Sequence, residues 1–130
     1  MNLLLDTSVF IRLAADPKQL PSKVLRAVDA AERRIFSAAS AWEIAIKSSI
    51  GKLELPLSAD EWVRTRAANL AVDIEPVRFE HATAVEVLPM YHRDPFDRLL
   101  IGIANVEGYT LVTQDRNLAK YRVRLLAAWR

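Results

Sequence analysis

Four acids in this chain of 130 residues stand where side-chain chemistry could be done. Asp6 follows the apolar run LLL, Glu43 lies in SAWEI, Asp97 lies in HRDPFDR, and Asp115 follows TLVTQ. Carboxylates gathered at one place repel and raise each other's pKa, and a divalent cation removes that cost. A set of oxygen donors, with no cysteine and no histidine required, suits a hard ion such as Mg²⁺ or Mn²⁺. Each acid also has a plain structural use. Asp6 could cap a helix at Ser8, and Asp115 could cap the turn after it. Ser40 and Glu43 have the spacing of a capping box. Asp94 precedes Pro95 as an N-cap does, and Asp97, third in that helix, complements its dipole. Any one acid is weak; their common placement carries the reading.

The elements around the acids give that placement. Residues 2–5 read as a buried strand and residues 8–15 as a short helix closed by Asp16-Pro17. A helix over roughly 21–33 carries Val24, Leu25, Val28 and Ala31 at helical spacing. Residues 35–38 form a strand, and a helix runs from Ser40 to Gly51. Ser58 and Glu61 open a helix to about Leu70. Residues 72–77 alternate as a strand, and residues 79–88 are helical. A strongly apolar helix spans 95–106, with Gly108 as its stop. Residues 109–113 are a strand, 117–121 a helical turn and 122–126 a last strand. Strands separated by helices imply βαβ units and an α/β fold with a central parallel sheet. In such a sheet the carboxyl ends of strands and the starts of the following helices share one edge, where ligands bind. All four acids fall on that edge.

Composition is that of an ordinary globular chain, about half hydrophobic and about a quarter charged, and 130 residues suffice for one domain, 1–130, with its own core. The absence of cysteine excludes disulfides and thiolate metal sites. No secretory leader pattern opens the chain, because Asp6 and Arg12 interrupt the early apolar run, and no apolar stretch reaches membrane-spanning length. A cytoplasmic protein without a membrane association is expected. The net charge is only +2, but residues 116–130 hold Arg116, Lys120, Arg122, Arg124 and Arg130 and no acid. Arginine dominates the basic residues, and it grips phosphates in a fixed geometry.

The segments LLLDTSVFI, SAASAWEIAIKSSIGKLEL, HRDPFDRLLIGIA and TLVTQDRNLAKY occur in this order. Together they resemble the PIN-domain ribonucleases, and more narrowly the VapC-type toxins of bacterial toxin–antitoxin systems. The resemblance implies a three-layer α/β/α PIN-like fold, dependence on Mg²⁺ or Mn²⁺, cleavage of RNA, a homodimer, and inhibition by a small VapB-type antitoxin. The family's acids fall on Asp6, Glu43, Asp97 and Asp115, with Thr113 as the accompanying hydroxyl and Asp94 as a subgroup variant.

The chemistry so implied is metal-assisted phosphodiester hydrolysis. Asp6 and Asp97 would hold the first ion, with Asp115 and Glu43 completing its shell or holding a second. The ion would activate a water and steady charge on the phosphate. Glu43 could orient or deprotonate that water. Thr7, Ser8 and Thr113 could place hydroxyls there, although local turn and cap bonding is their commoner use. Arg93, Arg98 and Arg116 flank the acidic motifs as candidates for holding the RNA backbone. His92 is expected at the surface or beside the site, outside the mechanism. Trp42, Trp62 and Trp129 could stack bases but read first as core or interface.

Other readings are a signalling receiver domain that binds Mg²⁺, a haloacid-type phosphatase, a non-catalytic RNA-binding domain, and a housekeeping RNA-processing nuclease of the same fold. The receiver would need a phospho-accepting aspartate after a middle strand, where Glu43 lies inside a helix. The phosphatase would need an acid at position 8, which is Ser.

Overall fold

The computed structural model describes residues 1–129; the expectation for Arg130 falls outside them. Five strands form one parallel sheet: β1 (Asn2–Leu5), β2 (Arg33–Ser37), β3 (Asp73–Glu75), β4 (Thr110–Thr113) and β5 (Leu125–Ala127), in the order β3-β2-β1-β4-β5. Among the described residues six α-helices accompany them: α1 (Thr7–Ala15), α2 (Ser22–Ala30), α3 (Ala38–Ser49), α4 (Ala59–Asn69), α5 (Phe79–Ala84) and α6 (Pro95–Glu107). The chain winds outward from β1 to β3, then returns to the other side of β1 as β4. The order therefore reverses between β1 and β4, which is the switch point where open α/β sheets bind ligands.

Successive strand residues point to opposite faces, and β1 shows it cleanly. Leu3 and Leu5 enter a core with Phe10, Val24, Ile44 and Trp62, while Leu4 enters the opposite core with Leu100, Ile101 and Leu111. All three leucines are fully buried. Helices α1 to α4 contribute to the first core and α6 to the second, giving the three layers expected. Phe10 stacks on Phe36 at 4.0 Å and meets Trp62 edge-on at 6.0 Å, so these rings lock α1 and α4 onto β2.

Several boundaries differ from the expected ones. Helix α2 ends at Ala30 because β2 already begins at Arg33. Residues 79–88 divide into α5 and a 3₁₀ turn, Val85–Val87. The turn at 117–121 is a 3₁₀ helix, Arg116–Lys120, and the last strand lies at 125–127 rather than 122–126. Gly108 ends α6 in the left-handed conformation, φ 76°, which a residue without Cβ adopts freely. No helix among the described residues is long and apolar enough to cross a membrane.

Candidate active site

Asp6 is placed by the strand before it. Its backbone N–H donates to Val112 O at 3.0 Å, continuing the β1–β4 ladder past Leu5. Oδ1 accepts from Val9 N at 2.8 Å and from Ser8 Oγ at 3.1 Å, so Asp6 caps α1. Thr113 and the Gln114 backbone also hydrogen-bond the carboxylate. Burial pushes the Asp6 carboxyl above its usual range, and those hydrogen bonds pull it back in part. Capping and site placement are thus one geometry, and Ser8 and Thr113 are both engaged with Asp6.

Asp94, Asp97 and Asp115 come in from α6 and β4. Asp94 caps α6, accepting from Phe96 N at 2.8 Å, and Pro95 occupies the first helical position. One turn into that helix stands Asp97. The Asp115 carboxylate accepts from Asn117 N at 2.9 Å and caps the 3₁₀ helix, while its own N–H donates to Thr113 Oγ1 at 3.0 Å. Asp97 rises from its ordinary 3.8 to about 7. Burial is the largest cause, followed by the negative charges of Asp94 and Asp6; Asp115 adds to them and His92 opposes them. Four carboxylates from three segments therefore act on one another at the switch point.

His92 stands inside this group rather than apart from it. Its Nε2 lies 2.7 Å from Asp115 Oδ2 and 3.1 Å from Asp97 Oδ2. Its Nδ1 accepts from Asp94 N at 3.2 Å, which leaves the ring proton on Nε2 facing the two carboxylates. One ligand atom from each of His92, Asp97 and Asp115 lies within 4.8 Å of the others, a spacing that a metal ion can span. Of the two places expected for His92, at the surface or beside the site, the structure gives the second. Residues 88–93 have no periodicity, and only the proximity of His92 to Asp94 in sequence signalled its place.

Glu43 joins the group from α3. The expected capping box with Ser40 does not form, because β2 runs directly into the helix: Ser37 is the N-cap, accepting from Ala39 N at 3.1 Å. Glu43 is therefore in the second turn. Its Oε1 accepts from Thr7 Oγ1 at 2.6 Å and its Oε2 from Lys47 Nζ at 2.7 Å. Lys47 also feels the charges of Asp94 and Asp97, which places Glu43 and its lysine at the rim of the aspartates. The i, i+4 spacing of Glu43 and Lys47 was the sequence signal for that pairing.

Residues 3–123 match the PIN domain family. The chain belongs to the PIN-domain family. This PIN domain is 31% identical to ribonuclease VapC22 of Mycobacterium tuberculosis over 122 residues, covering 93% of this chain and 92% of that protein. Among solved structures it resembles a chain of VapBC2 from Rickettsia felis bound to promoter DNA, with TM-score 0.73, 13% identity and 98% of each chain covered. It also resembles a chain of a toxin–antitoxin complex from Klebsiella pneumoniae, with TM-score 0.70, 17% identity and 99% of each chain covered.

Around the acids of this PIN domain the three arginines divide. Arg93 is exposed on the segment before α6. Arg116 follows Asp115 and lies over the Trp129 ring, 5.4 Å from its centroid. Arg98 turns away: its guanidinium donates to Pro89 O, Val85 O, Leu88 O and Tyr121 Oη at 2.8–3.3 Å. Those bonds hold the 85–89 turn, so phosphate binding by Arg98 is corrected to a positioning role. The tryptophans divide as well. Trp62 is core, whereas Trp42 is 62% exposed, so of the two places expected for the tryptophans, core or interface, the core is ruled out for Trp42.

Proposed function

We propose that this PIN domain is a divalent-metal-dependent ribonuclease and the toxin of a VapBC-type toxin–antitoxin pair. The observation that carries the reading is the convergence of Asp6, Asp97 and Asp115 at the switch point, with Asp97 raised to about 7. A carboxylate so raised is one that crowded negative charge and burial disfavour, and a cation relieves both. The donors are mostly carboxylate oxygens, which fits Mg²⁺ or Mn²⁺.

Asp6, Asp97 and Asp115 would hold the ion, with Asp94 adding negative charge beside them. When bound, the ion lowers the pKa of a water and steadies the charge that grows on a scissile phosphate. Glu43, oriented by Thr7 and Lys47, is placed at the rim to align or deprotonate the attacking water. Thr113 keeps both Asp6 and the Asp115 backbone in place. Arg93 and Arg116 are the candidates for the RNA backbone. The identity with a relative named as a ribonuclease supports RNA as the substrate. Fold neighbours taken from toxin–antitoxin complexes support a small antitoxin as partner. A homodimer and a cytoplasmic location complete the proposal.

Asp6→Asn tests it, because asparagine caps a helix about as well as aspartate while removing the charge. The variant should keep its circular dichroism spectrum and melting behaviour but lose Mg²⁺- or Mn²⁺-dependent cleavage of RNA. Cleavage at the wild-type rate by Asp6→Asn would overturn the site. Growth arrest on expression, relieved by co-expressing a small neighbouring gene, distinguishes a toxin from a housekeeping nuclease of the same chemistry.

A further inference from the structure

Trp42 is a large apolar side chain left in water beside the acids, and its surroundings give it a shape for one kind of ligand. It precedes Glu43 on α3, and its indole meets the Phe96 ring of α6 edge-on, with centroids 5.3 Å apart and planes at 65°. Phe96 precedes Asp97 and is held by its own N–H, bonded to Asp94. The two rings are therefore carried by the helices that carry two of the acids, and the edge contact fixes the indole while leaving it 62% exposed.

Next to the indole opens a groove of about 470 Å³ between α3 and α4. Ala38, Ala41 and Ala45 of α3 line it beside the ring, with Ala59 and Val63 of α4 opposite, so small apolar side chains leave room next to the indole. At the mouth of the groove Arg64 Nε donates to Asp60 Oδ1 at 2.9 Å, offering donors and acceptors to the edge of whatever enters. A flat aromatic body with a polar edge matches this combination, and base–aromatic stacking is the general means of holding single-stranded nucleic acid.

We propose that Trp42 is the stacking surface for one unpaired nucleobase next to the scissile phosphate, with Asp60 and Arg64 facing that base's edge. The inference rests on the ribonuclease reading and adds to it a base-contacting residue outside the acidic cluster. In a duplex the base faces are already covered by their neighbours, so the indole has no face to meet.

The test uses the full chain in EDTA, where cleavage is suppressed, with a short oligouridine and an abasic ribose-phosphate strand of equal length. Oligouridine should quench the wild-type tryptophan fluorescence and the abasic strand should not. Trp42→Leu should abolish the quenching and weaken binding, followed by anisotropy, roughly tenfold, and Trp42→Phe should stay within about threefold of wild type. With Mg²⁺ present, Trp42→Leu should raise KM about tenfold and change kcat less than about twofold, the signature of lost binding rather than lost chemistry. Equal oligouridine binding by wild type and Trp42→Leu, with cleavage intact, overturns the stacking role and leaves the ribonuclease reading standing. Normal RNA handling by Trp42→Leu with lost antitoxin association overturns it in favour of a protein-docking groove. A wild-type protein that neither binds nor cuts any RNA overturns both.

Discussion

The hydroxyl of Thr7 donates to Glu43 Oε1 at 2.6 Å, joining residues 36 positions apart. Thr7 is buried and begins α1 directly after Asp6, so this bond ties the rim glutamate to the strand that sets the first aspartate. Glu43 is thereby held from two sides, by Thr7 below and by Lys47 one turn along its own helix. Thr7→Val keeps the shape and removes the donor. Stability should fall by about 1.5–3 kcal/mol, the worth of a hydrogen bond to a charged group. Turnover should fall about tenfold with little change in KM if Glu43 aligns the water. Thr7→Ser should restore most of the rate, and a Thr7→Val enzyme of unchanged kcat would remove Glu43's orientation from the mechanism.

Asp97 should make the metal-free protein less stable as pH rises. Its carboxyl titrates near 7 in the fold against an ordinary 3.8. Between those values the folded chain keeps a proton that the unfolded chain has released. Stability from this group is therefore full below about pH 4, falls as pH rises towards 7, and levels off above it. The loss should amount to roughly 1–3 kcal/mol. Thermal denaturation in EDTA should show Asp97→Asn melting above wild type at pH 8, with the two curves converging at pH 4. Parallel pH profiles for the two proteins would contradict the raised pKa. Adding Mn²⁺ at pH 8 should stabilise the wild type and leave Asp97→Asn nearly unmoved.

His92 presents a proton, not a lone pair, to Asp97 and Asp115, because Nδ1 already accepts from Asp94 N. It should therefore act by positioning carboxylates. His92→Leu should weaken Mg²⁺ and Mn²⁺ alike, by about tenfold in calorimetry, as loss of a group that orients ligands does. His92→Gln, which can place an amide N–H near the same point, should recover much of the affinity. A direct nitrogen ligand would behave differently, since imidazole favours transition metals over Mg²⁺. A loss confined to Mn²⁺, with Gln giving no recovery, would assign the ring to the metal itself.

The strands and the aspartates were legible because burial and charge meet abruptly there. LLL and the Leu111-Val112 pair in TLVT put apolar residues on both faces, as a covered parallel sheet requires, and the carboxylate after each run both caps the next helical turn and stands at the sheet edge. Glu43 was legible as an acid that the fold would bring near the aspartates, but not as to its turn of the helix. Ser40 fits the capping template, yet the chain leaves β2 at Ser37 and the helix starts at once, so strand geometry overrides the local motif. Trp42 stayed open between core and interface because helical spacing assigns an apolar ring to a face without saying what covers that face. Here the face opens to a groove. His92 and the partners of Arg98 depend on an aperiodic segment folding back on α6, a tertiary fact with no short-range pattern behind it.

Arg98 and Arg93 offer the clearest test of which arginine beside the acids is structural and which would meet RNA. The Arg98 guanidinium bonds Tyr121 Oη and the carbonyls of Val85, Leu88 and Pro89, and Tyr121 Oη in turn accepts from His92 N at 2.9 Å. Removing the fork takes the side-chain donor from Leu88 O and Pro89 O, leaves Val85 O and Tyr121 Oη with one donor each, and loosens the segment that carries His92. Arg98→Ala should cost about 2–3 kcal/mol, and Arg98→Lys should recover little of it, because an ammonium cannot reproduce the planar fork. Arg93→Ala should leave the melting temperature unchanged. RNA binding should divide the other way: the slope of log K against log salt should shrink by about 0.7 for Arg93→Ala, one phosphate contact to a single strand, and stay unchanged for Arg98→Ala. A reduced salt slope in Arg98→Ala would return that arginine to the RNA-binding surface.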